Sequence, residues 1–164
     1  MFILARALTY ATLFIGFVLV FLPARVLAWS GIGAPSRFGL LQVAGGAVTA
    51  AGAMLAVTCV VTFAFVGKGT PAPFDPPRRL VVRGPYRWLR NPMYLGAAVA
   101  LAGAALFYQS IALLGFTMGF VAVTHLFVVW YEEPVLSDTF GAEYHAYRAR
   151  VGRWWPRRTD GGAA

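Results

Sequence analysis

The sequence predicts an all-α, polytopic membrane helical bundle, with about four transmembrane helices, a pocket on the cytoplasmic side and a C-terminal amphipathic helix. Three observations predict it. Of 164 residues, 59% are hydrophobic and only 12% charged, with a mean hydropathy of +0.67, whereas a soluble domain carries about 25% charged residues. No acidic residue occurs before Asp75. Finally, uncharged runs long enough for a hydrocarbon layer of about 30 Å are bounded by clusters of Arg, Trp and Tyr. These features fit one membrane domain over residues 1–164, with two spans in 1–66 and a loop, a helical hairpin and a tail in 67–164.

The first apolar run, 7–21, reads as a helix that stops at Pro23 and Arg25. A cleavable secretory signal is the rival reading, but the single charge before the run and the multispanning chain after it favour a retained span. Residues 22–37 hold Arg25, Trp29 and Arg37 around a Gly-rich turn and are expected outside the core. Residues 38–66 carry no charge and exceed the membrane thickness as a helix, so this second span is expected to tilt or project. Gly45, Thr49 and Ala53 recur at four-residue intervals, a spacing that permits close helix contact. A polar, proline-rich connection follows, with Lys68, Pro71, Pro73, Asp75, Pro76 and Pro77.

Past Pro92 the chain is apolar until Trp130, too long for one span, and Gln109-Ser110 is the place to turn. A helical hairpin of 93–108 and 111–130 is expected. In its second arm Gly115 and Gly119 form a GxxxG spacing, a weak signal in apolar sequence. In the tail, Leu136, Phe140, Tyr144, Tyr147 and Val151 recur every three or four residues, an apolar stripe on one helix, with Asp138, Glu143, Arg148 and Arg150 on other faces. Trp154-Trp155-Pro156 closes it as an interfacial anchor.

Charge sets the orientation. Lys68, Arg78, Arg79, Arg83, Arg87 and Arg90 share one loop, and Arg148, Arg150, Arg153, Arg157 and Arg158 the tail, against Arg25 and Arg37 on the other side. Both termini are therefore expected in the cytoplasm, in a plasma (inner) membrane protein. The net charge of +8 flanks apolar spans and sits among Trp and Tyr, which fits an anionic bilayer surface rather than nucleic acid. The single cysteine, Cys59, can form no intrachain disulfide and is expected to be a packing residue. No His/Cys/Asp/Glu cluster has metal spacing, no nucleophile elbow is present, and no G-x-G-x-x-G follows a strand.

Two stretches remain that packing alone does not explain. Arg83 to Gly96 is basic, aromatic and punctuated by Gly84, Pro85, Asn91 and Pro92. Glu132-Glu133 puts adjacent acids at the end of the last span, where a buried charge is costly and takes a partner. The plain account pairs these glutamates with Arg87 or Arg90 in the headgroup layer. The functional account notes that both stretches fall on one side of the membrane, where few polar groups and apolar walls make a small-molecule pocket. His125, inside the last span, reads as a packing histidine or a functional one, and His145 as solvated.

Gly84-Pro85-Tyr86, Arg90-Asn91-Pro92-Met93-Tyr94-Leu95-Gly96, Glu132-Glu133-x-x-Leu136 and Phe140-Gly141-x-Glu143-Tyr144-x-x-Tyr147 together resemble the isoprenylcysteine carboxyl methyltransferase and phospholipid methyltransferase group. The resemblance covers roughly residues 78–156; the first two spans carry no such signal beyond being apolar. It implies an integral membrane methyltransferase that uses S-adenosylmethionine without a Rossmann domain, acts on a lipophilic or membrane-embedded acceptor and needs no metal. The residues it implies for the cofactor are Arg78, Arg79, Leu80, Val81, Tyr86, Asn91, Pro92, Met93, Tyr94, Gly96 and Glu132, with Glu133 in the same motif. Two positions depart from the group. Its usual histidine is Asn91 here, which keeps a donor and an acceptor without a titratable group. The arginine that addresses the substrate carboxylate in the eukaryotic prenylcysteine enzymes is Val128, so the methyl acceptor stays open. Two rival classes are an NADPH-dependent membrane reductase of the sterol-reductase type and a non-enzymatic membrane subunit; binding of one cofactor, the other or neither separates the three.

Overall fold

The computed structural model describes residues 16–67 and 79–157. Among them the chain is helical, apart from turns and one parallel backbone pairing of Leu89 with Gly152. We number the helices α1 (Gly16–Trp29), α2 (Leu40–Thr62), α3 (Pro92–Tyr108), α4 (Ile111–Phe140) and α5 (Ala142–Arg150), with a short 3₁₀ turn at Gly84–Arg87. Most of the expected first span, together with Lys68, Asp75 and Arg78, lies outside the described residues.

α2 and α4 are long and apolar enough to cross a membrane, with mean hydropathies of 1.8 and 2.1 in their most apolar windows. The core helix of a soluble protein passes the same test, but it is mostly buried. Here only 17% and 28% of those windows are buried, and Leu40, Met54, Ile111, Met118 and Val123 are among the large apolar side chains left outside. Such surfaces are stable against lipid and unfavourable in water. α1 and α3 are apolar but shorter over their described lengths.

The closest packing joins α2 to α3. A Cβ at Gly45, Gly52, Gly96 or Gly103 would come within 3.0 Å of backbone atoms of the other helix, so the two backbones touch where side chains would hold them apart. Thr49 serves the same seam, its Oγ1 donating to the Gly45 carbonyl at 2.9 Å and reaching the Ala100 carbonyl at 3.4 Å. Near one end, Gln42 accepts from the Gly39 amide at 2.9 Å and donates to the Phe107 carbonyl at 3.4 Å. The expected stripe needs one correction. Ala53 faces outward, and the contact continues through Gly52 and Ala56, because a 3.6-residue helix alternates steps of four and three to keep one face.

The hairpin turns where expected. Gln109 takes a left-handed conformation (φ 50°, ψ 41°), and Ser110 caps α4 by accepting from the Leu113 amide at 3.1 Å. Leu101 and Ala97 of α3 meet Phe120 of α4, with Val18 and Leu19 of α1 against them.

Three boundaries differ from expectation, and each has a local cause. α1 continues through Pro23 and Arg25 to Trp29, and α4 continues past Trp130 through Pro134 to Phe140. In both, a wide π-helical stretch (Gly16–Phe21, Val128–Glu132) shortly precedes the proline. That widening accommodates a ring that otherwise clashes with the carbonyl four residues back. The tail, expected as one helix, breaks at Gly141, whose φ of 50° and ψ of −123° no side-chain-bearing residue readily adopts. The apolar stripe survives the break. Tyr144, Tyr147 and Val151 are buried together, with Leu136 and Phe140 from α4 and Leu80 from the loop packed on them.

Candidate functional site

Three segments converge: the loop 79–91 with the start of α3, the Glu132–Glu133 region of α4, and the tail from α5 to Arg157. Pro85 is the second residue of the 3₁₀ turn and Pro92 opens α3, each placed where its missing N–H costs nothing. The loop is tied to the tail by backbone. The Arg90 amide donates to the Gly152 carbonyl at 2.9 Å, and a Cβ at Gly152 would collide with the Trp155 carbonyl.

The adjacent glutamates point to different partners, because consecutive residues on a helix project about 100° apart. Glu133 is 7% exposed and faces two guanidinium groups. Arg153 grips it in a two-pronged pair, Nε–Oε1 2.7 Å and Nη2–Oε2 2.8 Å, and Arg90 Nη1 lies 2.8 Å from the same Oε1. Arg90 also donates to the Tyr144 hydroxyl at 3.2 Å. Glu132 has a different environment. It accepts from the Tyr94 hydroxyl at 3.2 Å, and among the described residues no cation pairs with it. A half-buried carboxylate with a phenol and no counter-charge is suited to a cationic ligand.

Of the residues expected to hold a cofactor, Tyr94, Glu132 and Glu133 are brought to this place, and Asn91 borders it. Asn91 is 6% exposed and its Nδ2 lies 3.5 Å from the Arg153 carbonyl. Tyr86 and Val81 are buried with Cys59, and Met93 packs on that cluster. Burial among apolar groups, with Cys59 the next contributor, holds the Tyr86 phenol well above its usual pKa. Leu80 lies in the tail cluster, Pro92 is fully buried at the start of α3, and Gly96 is occupied by contact with α2. Arg79 is exposed, and Arg78 lies outside the described residues.

Sequence reading missed Arg153 as a partner of Glu133, and gave Arg90 only a share of a headgroup-layer pair. It also missed the bond from Trp154 Nε1 to His125 Nδ1, 3.0 Å, which accounts for the intramembrane histidine by the tail. The only usable signal was the excess of tail arginines over tail acids. His145 is exposed, as expected, with Ser137 3.2 Å away. A Cβ added at Gly115 or Gly119 would have nothing within 4 Å, so neither glycine makes a close helix contact.

The residues fit S-adenosylmethionine on two counts. Glu132 supplies negative charge for a sulfonium or amino group, and Arg90 Nε is a buried donor with no partner among the described residues, available to a carboxylate. Beside the start of α3, a cleft of about 500 Å³ is lined by Leu55, Gly84, Pro85, Arg87, Trp88, Leu89, Pro92 and Pro156. Neither Tyr94 nor Glu132 lines it. No group of three or more possible metal ligands occurs among the described residues.

The model of one family, phospholipid methyltransferase, matches residues 37–143. The chain belongs to the phospholipid methyltransferase family. The match takes in α2, which corrects the expectation that the second span lies outside the resemblance, and it ends before Tyr144, so the tail contacts lie beyond it. No curated protein and no solved structure matches the chain. Membership of the phospholipid methyltransferase family and the two membrane-length helices together make this a membrane methyltransferase family member.

Proposed function

We propose that this chain transfers a methyl group from S-adenosylmethionine to a lipophilic or membrane-embedded acceptor. One observation carries the reading: Glu132, half-buried and hydrogen-bonded by Tyr94, has no cation among the described residues, while adjacent Glu133 has two. The cofactor supplies an electrophilic methyl on a sulfonium cation. Glu132 offsets that cation or accepts from the amino group, the Tyr94 ring adds a cation-attracting face, and Arg90 Nε takes the carboxylate. Direct displacement at a methyl needs alignment and exclusion of water, so the protein needs no nucleophile of its own. The apolar cleft between Leu55 and Trp88 suits an acyl or other apolar acceptor arriving from the bilayer. Arg78, Arg79, Leu80, Val81, Tyr86, Asn91, Pro92, Met93 and Gly96 complete the proposed site as the frame around these groups.

Four spans with both termini in the cytoplasm of an inner membrane place the site where a water-soluble donor and a lipid-soluble acceptor both reach it. The apolar character of α1 through α4 and the basic loop and tail support that arrangement.

Thermal unfolding of the detergent-purified chain with S-adenosylhomocysteine or NADPH tests the reading. A ligand at a hundred times its Kd stabilises the folded state by about 2.7 kcal/mol, which moves the midpoint by several degrees. S-adenosylhomocysteine is expected to give the shift and NADPH none. Glu132→Gln should reduce it more than Glu143→Gln, since Glu143 is exposed on α5. Tyr94→Ala should abolish it and Tyr108→Ala should not. A shift with NADPH alone would favour the reductase, and silence from both at millimolar concentration would favour a non-enzymatic subunit.

A further inference from the structure

Glu133 sits between two elements that carry the two halves of the Tyr94–Glu132 pair. On one side it follows Glu132 directly, just after the π-helical stretch of α4. On the other it holds Arg90, four residues before Tyr94 and two before the first residue of α3. Arg153 closes the arrangement from the tail, with two guanidinium nitrogens on the two Glu133 oxygens. The backbone repeats the tie, since Arg90 donates to Gly152 and the Arg153 carbonyl accepts from Asn91.

We infer that Glu133 and Arg153 are positioning residues: their pair fixes loop, α4 and tail in the one arrangement that presents Tyr94 and Glu132 to a common ligand and leaves Arg90 Nε without a partner among the described residues. This rests on the proposed cofactor reading and assigns Glu133 a different task from its neighbour. Glu132 touches the ligand; Glu133 aligns the groups that do. A planar guanidinium on a carboxylate sets an angle as well as a distance, which a lysine cannot do. The tail, which lies beyond the matched family region, thereby becomes part of the site.

Glu133→Gln is the obvious variant, but it leaves two guanidinium groups facing a neutral amide in a buried place and can fail to fold. Arg153→Gln avoids this, because the Arg153 side chain is 27% exposed and Arg90 still neutralises Glu133. The test measures the Kd of S-adenosylhomocysteine for the full-length chain in nanodiscs, alongside the melting midpoint without ligand. Arg153→Gln is expected to weaken binding about tenfold with a midpoint close to wild type, and Arg153→Lys to recover part of the loss. Arg150→Gln, at the exposed end of α5, should change neither. If Arg153→Gln binds as tightly as wild type, or if its loss of affinity only parallels a fall in the midpoint, the pair is structural and the inference is overturned. If the wild-type chain does not bind S-adenosylhomocysteine, the cofactor reading fails first and the inference falls with it.

Discussion

The Tyr147 hydroxyl donates to the backbone carbonyl of Tyr86 at 2.7 Å, joining the tail to the loop across 61 residues of sequence. Tyr147 is 5% exposed, and burial holds its phenol above the usual pKa, so it stays a neutral donor. The bond stands beside the Arg90–Gly152 backbone contact and the Glu133 clamp, and all three hold the same loop to the same tail.

Tyr147→Phe keeps the ring and removes the donor, leaving a buried carbonyl short of its short bond. A loss of about 1–3 kcal/mol is expected, which lowers the melting midpoint by roughly 2–12 °C for a chain of this size. Tyr108→Phe, at the far end of α3, should stay close to wild type. Equal midpoints for the two variants in thermal unfolding would show that the loop is held without Tyr147.

At the glycine seam, Gly52→Leu forces a branched side chain against the Ala100 backbone. Neither backbone can yield without parting α2 from α3, so a loss of about 3 kcal/mol or more is expected. Gly115→Leu puts the same residue where nothing lies within 4 Å and should cost within about 0.5 kcal/mol. Folded yield and denaturant midpoint in detergent compare them. Similar values would contradict direct backbone contact between the helices.

Orientation is testable with single cysteines at Arg87 and Ile111 in a Cys59→Ala background. Both positions are exposed, and they lie at opposite ends of α3 and its hairpin. An impermeant maleimide applied to sealed vesicles is expected to reach them from opposite sides, with position 87 cytoplasmic. Labelling of both from one side would remove the spanning hairpin.

Composition and periodicity by themselves determined the helical class, the hairpin turn at Gln109-Ser110, the apolar stripe of the tail and the two unusual stretches that supply Tyr94 and Glu132. These depend on local chemistry: which residues tolerate lipid, where the chain turns, and how a 3.6-residue repeat sorts faces. The continuation of α1 and α4 through Pro23 and Pro134 was not legible, because a π-helical widening neutralises the local signal of proline. Nor could sequence distinguish Gly96 as a packing residue from Gly96 as a ligand contact, since both need a missing side chain. Only the tertiary structure decided how the two glutamates divide. Their chemistry is identical and their positions adjacent, so the difference arises from what faces them: Tyr94 for one, Arg90 and Arg153 for the other. Those partners come from segments 20 to 43 residues away, and such pairings are set by the way helices pack rather than by any pattern along the chain.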